Sequence, residues 1–233
     1  MKQDNLTAKQ KDYAVFLPAI SSFYAAYIGK ERYGQGLDEG RFPAGLGNME
    51  AMNWLNAQEG LFPYKWSLYS AGHANLDLNK FAPKEAMIRE RDPDTIMLAD
   101  SGGFQIAKGV WPADWTNPAD KEAEKKRRMV LEWQMGIATH GMTMDIPTWT
   151  FRDPKAAEAS NIRSYEDAVN ATKYNNEYWI KNREGDLKIL NVLQGGNHAE
   201  ADHWYDLMKG YCDPDQHERP FDGWGMGGQN MCD

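Results

Sequence analysis

Three observations predict an α/β fold of the (β/α)8 TIM-type barrel kind for these 233 residues. Short apolar runs alternate with helical stretches, which implies parallel strands joined by helical crossovers. Strand after strand ends in a polar or glycine-rich turn. A barrel brings such turns to one rim, whereas an open doubly wound sheet gathers them only at a switch point. A hydrophobic fraction of 42% with 12% aromatics supplies a core rather than a disordered chain.

The first clear strand is Trp66 to Ser70, an apolar and β-prone run that ends at Ala71-Gly72-His73. Thr95 to Ala99 is the next and ends at Asp100-Ser101-Gly102-Gly103. A helix is expected from about Ala119 to Thr139, with Asn117-Pro118 as its start signal and Gly141 as its stop. Met142 to Met144 then leads into Asp145-Ile146-Pro147. The spacing of Tyr165, Ala168, Val169, Thr172, Tyr178 and Trp179 makes Lys155 to Arg183 helical. Leu187 to Leu193 reads as a buried strand ending at Gln194-Gly195-Gly196, His198 to Tyr211 as a helix, and Asp222 to Met226 as a strand ending at Gly227-Gly228.

That makes about five β/α units, or six if Ala14 to Ile20 adds a strand. A barrel of this class needs eight, in typically about 250 residues, and the sequence stops at Asp233 just past a strand end. Because an open barrel leaves unpaired edges, the expectation is one catalytic domain over residues 1–233, truncated on its C-terminal side.

Composition excludes several classes. No apolar run approaches the roughly 20 residues that span a bilayer, and the polar N-terminus lacks a signal-peptide core, so no membrane partner and a cytoplasmic setting are expected. Cys212 and Cys232 are the only cysteines, which gives no disulfide framework and no zinc site in this segment. His198 and His203 miss the i, i+4 spacing of a helical metal pair. A net charge of −8 argues against generic nucleic-acid binding. The local cluster Lys121, Lys125, Lys126, Arg127 and Arg128, mixed with Glu122 and Glu124, reads either as a solvated, ion-paired helix face or as a phosphate contact.

The chemistry concentrates at the strand ends. In Asp100-Ser101-Gly102-Gly103-Phe104-Gln105 an acid precedes two glycines that admit a ligand close to the backbone, whose N–H groups can then donate. Phe104 adds a flat apolar face. The alternative is a tight turn that Asp100 merely caps. Asp145 stands among apolar neighbours, where a carboxylate needs a partner. The adjacent N1–H and N2–H donors of a guanine edge would supply one; capping the Pro147 turn is the alternative. Gln194 offers an amide that both donates and accepts.

In this order, the DSGGFQ, MDIP, LQGG and GWGMGG segments resemble the tRNA-guanine transglycosylase (queuine tRNA-ribosyltransferase) superfamily, over about Thr95 to Gly228. Its members exchange guanine for a 7-deazaguanine. The resemblance implies that Asp100 is the proton-transferring acid/base and that Ser101, Gly102 and Gly103 form the substrate-contacting turn. It makes Phe104 the aromatic on which the base stacks, Asp145 the reader of the amino edge, Gln194 its amide partner, and Gly228 part of the pocket backbone. The family's attacking Asp and its structural zinc site lie further along than anything in this chain. The segments around Phe16 to Tyr24 and Tyr69 to Ala74 look more like the DNA-modifying branch found in bacteriophages, which implies DNA in preference to tRNA as partner and the host cytoplasm as location.

The implied reaction has a carboxylate attack C1′ and expel guanine, after which a deazaguanine, deprotonated at N9 by an acid/base, displaces the enzyme. Trp111 and Trp115 either stack on bases along a strand path or pack the interior. Two other classes share these residues: a glycoside hydrolase using Asp100 and Asp145 as its carboxylate pair, and a non-catalytic module that holds a base.

Overall fold

The computed structural model describes residues 15–34 and 46–227. The chain is α/β, built on a five-stranded sheet in which every pairing is parallel. The strands are β1 (Trp66–Ser70), β2 (Ile96–Asp100), β3 (His140–Met142), β4 (Lys188–Leu193) and β5 (Gly223–Met226). They lie side by side in chain order, β1-β2-β3-β4-β5, with no reversal among them. Beyond β1, Ala19 forms a single parallel bridge to Leu68, so the Ala14 to Ile20 segment contributes one pairing rather than a full strand among the described residues.

The helices are α1 (Ser22–Arg32), α2 (Ala86–Arg89), α3 (Gly103–Ala107), α4 (Lys121–Ile137), α5 (Pro154–Ser160), α6 (Tyr165–Asn182) and α7 (His198–Met208). Their starts have local causes, because a side-chain oxygen at the N-cap satisfies amides that the helix itself leaves unpaired. Asp120 Oδ1 accepts from the N–H groups of Glu122 and Ala123 at 3.0 and 2.9 Å. Ser164 caps α6 through Asp167 N–H, and Asn197 caps α7 through Glu200 N–H.

Three expectations shift. The continuous helix over Lys155 to Arg183 is two helices, α5 and α6, because Asn161 adopts a left-handed conformation with φ 57° at the C-cap of α5. An Asn tolerates that region, and its side chain donates to Asp114 Oδ1 at 2.9 Å. The third strand starts earlier than Met142 and ends there; Thr143 to Ile146 run past it as irregular backbone. Gly141 does not stop α4, which ends at Ile137 where Ala138 turns extended. Gly141 lies in β3 instead, and a Cβ there would sit 2.9 Å from the Gln134 side chain.

One cluster forms most of the core, joining Tyr69, Met97, Trp133, Ile137, Trp179 and Ile189 from strands and helices alike. A smaller one joins Val169, Trp204 and Met208, which packs α7 on α6. Trp115, Trp133, Trp179 and Trp204 are all fully buried, so Trp115 is packing and not part of a strand path. Arg127 is also buried, its Nε donating to Asn175 Oδ1 at 2.6 Å. Lys125 and Arg128, by contrast, form the exposed ion pairs of a solvated face with Glu122 and Glu132. No helix among the described residues is long and apolar enough to cross a membrane.

Candidate functional site at the strand ends

Parallel pairing puts the C-terminal ends of all five strands on one side of the sheet, and the register aligns Ser70 with Asp100. Asp100 closes β2, half-buried, and its Oδ2 accepts from Ser70 Oγ at 2.6 Å. Behind it, Gly102 takes φ 83° as the N-cap of α3, a conformation that a Cβ would strain. Gly103 meets a different limit: a Cβ there would lie 2.4 Å from the Asp145 carbonyl oxygen and 3.2 Å from its Oδ1. The DSGG turn of β2 is thus pressed against the backbone and carboxylate that follow β3.

Asp145 is held from the helix side. With no ladder partner for Thr143 to Ile146 beyond Thr143 N–H, which donates to Leu190 O, polar side chains of α6 take over. Asn175 Nδ2 donates to Met144 O at 2.6 Å, and Ile146 N–H donates to Thr172 Oγ1 at 2.9 Å. These two bonds flank Asp145 and fix its backbone. Gln134 of α4 stitches β2 to β3 nearby, its Nε2 donating to Ala99 O and Met142 O while Trp179 Nε1 donates to its Oε1.

The Asp145 side chain is buried, at 7% exposure, and Gln194 Nε2 donates to its Oδ2 at 2.5 Å. Burial pushes its pKa up to about 7; the Gln194 hydrogen bond opposes this, and the charge of Asp100 adds to the rise. The two acids are therefore electrostatic neighbours. Gln194 follows β4 and is itself buried, with Oε1 lacking a partner. Gly227, after β5, presses its backbone against the Gln194 amide. Ser101 Oγ and Thr143 Oγ1 are likewise buried and unpartnered. Buried polar atoms are normally bonded, and these three unpartnered ones follow β2, β3 and β4 on the same side of the sheet.

Phe104 heads α3 with half its surface exposed and stands edge-on to Trp149, ring centroids 5.9 Å apart. Asp100, Ser101, Gly102, Gly103, Asp145 and Gln194 are brought together at the strand ends, with Phe104 beside them. Gly228 lies outside the described residues. Thr172, Asn175 and Gln134 lie outside the strand-end motifs; polar residues on the inward face of a helix are the available signal, and Thr172 is among those at helical spacing. Trp111 also belongs here, since a Cβ on Gly102 would strike its ring at 2.6 Å.

Among the described residues no three His, Cys, Asp or Glu side chains are grouped to hold a metal ion. Cys212 is half-buried beside Asn191 and Gly223, and Cys232 lies outside the described residues. A separate cavity of about 580 Å³ is lined by Glu31, Arg32, Glu50, Glu59 and Glu90 among others, and by none of the strand-end residues. Arg32 ties up Glu50 and Glu90 there, so it is a stabilised ion network and not the same site.

Fold and site together describe an α/β protein that gathers two neighbouring carboxylates, an amide and open polar groups at the C-terminal side of a parallel sheet. Comparison with known protein families, with curated proteins and with solved structures finds no match.

Proposed function

We propose that this chain belongs to a base-exchanging nucleic-acid transglycosylase, a pentosyltransferase that replaces guanine with a 7-deazaguanine in DNA rather than in tRNA, on a (β/α)8-type barrel. The sequential, all-parallel strand order is what such a barrel requires of its consecutive strands. The observation that carries the functional reading is Asp145: a buried carboxyl whose pKa stands near neutrality, bonded to Gln194 and sensing Asp100.

In this reading the ionised Asp145 accepts the N1–H and N2–H of the base edge, a bidentate contact whose charge makes it strong. Its burial confines the ligand to a flat ring edge. The open Oε1 of Gln194 and the hydroxyls of Ser101 and Thr143 supply further polar partners, and Phe104 an apolar face. Asp100 moves the N9 proton: it protonates the departing guanine and accepts the proton of the incoming deazaguanine. The carboxylate that attacks C1′ is neither of these two acids, since each already has a role on the base.

Calorimetric titration with guanine and 7-cyano-7-deazaguanine tests the reading. Asp145→Ala should abolish binding of both, a loss of on the order of a hundredfold or more for removing the acceptor of a charge-assisted pair. Unchanged affinity in that variant rejects the base-reading role.

A further inference from the structure

Three cations border the strand ends, and each lies against an aromatic ring instead of a carboxylate. Lys108, just past α3, places Nζ 5.5 Å from the Phe104 ring centroid and 5.1 Å from that of Trp149. Lys126 on α4 sits 4.3 Å over Trp111, the ring that abuts Gly102. Arg152, past Asp145, lies 5.9 Å over Phe151; a Cβ on Gly196, two residues past Gln194, would come within 3.1 Å of both its Nη2 and Glu200 Oε2. Each is therefore anchored next to a residue of the DSGG turn, the Asp145 segment or the Gln194 turn.

None of the three forms an ion pair among the described residues. Lys65, Lys80, Lys125, Arg128, Lys188 and Lys209 have carboxylate partners; what sets these three apart from other cations is their place on rings beside the strand-end turns. A cation on a ring face keeps its remaining N–H donors open to a phosphate. Cations interleaved with aromatic faces are how proteins hold single-stranded nucleic acid: phosphates on the charges, bases on the rings.

We infer that Lys108, Lys126 and Arg152 grip the phosphates of a short single-stranded DNA segment on either side of the base held at Asp100 and Asp145. The inference rests on the base-exchange reading. A folded RNA presents a broad array of phosphates that the net charge of −8 would repel outside this border. A few nucleotides drawn out of a duplex need only these contacts.

The test is fluorescence anisotropy of a labelled single-stranded DNA oligonucleotide with a central guanine, titrated over a range of salt. Each of Lys108→Ala, Lys126→Ala and Arg152→Ala should reduce the slope of log affinity against log salt by about 0.7. The triple variant should lose about 2 from that slope and bind at least about tenfold more weakly, while calorimetric guanine binding stays as in the unaltered protein. Lys108→Arg and Lys126→Arg should keep the slope. The inference is overturned by unchanged slopes, by charge-keeping variants that lose as much as the alanines, by no binding of the strand at low salt, or by an RNA strand of the same sequence binding more than about tenfold tighter. Strand binding intact in a protein that does not take up guanine counts against the base-exchange reading instead.

Discussion

Asp145 combines two demands that oppose each other. Folding removes its carboxyl from water, which favours the protonated form and lifts its pKa from 3.8 to about 7. In the proposed function, recognition of a guanine edge needs the ionised form. The folded state therefore holds a proton that the unfolded chain has already released between those two values. This stabilisation is complete below 3.8 and is lost as pH rises through about 7, at up to about 1.4 kcal/mol per pH unit. Thermal melts of Asp145→Asn should be flatter than those of the unaltered protein across this window. Guanine affinity should move the other way and strengthen as pH rises through about 7. Equal melting slopes in the two proteins would show that the carboxyl titrates normally.

At the scale of elements, the Asp145 segment is held by a helix and not by a neighbouring strand. The backbone after β3 has left the ladder, and α6 replaces the missing partners with Thr172 and Asn175. Asn175 also accepts from Arg127, so one buried amide joins α4, α6 and the Asp145 segment. Asn175→Ala would strand the Met144 carbonyl and the Arg127 guanidinium in the interior, at a cost of about 2–4 kcal/mol. Urea denaturation should show this loss, and guanine affinity should fall as well because Asp145 is no longer held. A variant with the stability of the unaltered protein would mean that water satisfies both groups.

For the whole molecule, the sequential sheet gives each of β2, β3 and β4 a strand on both sides, while β5 has a partner on one side only among the described residues. Amide protons of β2 and β4 should exchange at rates set by global unfolding, and those of β5 faster by local opening. Hydrogen exchange read by mass spectrometry or NMR checks this. Uniform protection across all five strands would point to a further partner along β5.

Much of this arrangement was legible in the residue order. Alternating apolar runs and helical stretches are local patterns, and they locate β1, β2, β4 and β5 to within a residue or so and α4 to within two. The turn chemistry after each strand is local too, which is why Asp100, Asp145 and Gln194 are recognisable from the sequence as residues at or just past strand ends. Left undecided was what those residues touch. Whether Asp145 is bonded to Gln194, whether Gly103 is small for its own φ or for the Asp145 carbonyl, and whether Trp111 borders a site while Trp115 fills the core all depend on residues far away in the chain. The break at Asn161 is not legible for a related reason: the helical spacing rests on Tyr165 to Trp179 alone, and the left-handed turn is held by a side chain from position 114. Sequence by itself determined where β1, β2, β4, β5, α4 and α7 lie and that the strands end in polar turns, because those preferences act over a few residues; α1, α2 and α3 carried no such pattern. Only the tertiary structure decided which ends meet, which acid is dried out and which helix polar groups hold it, because burial and Coulomb forces act between whatever packing brings together.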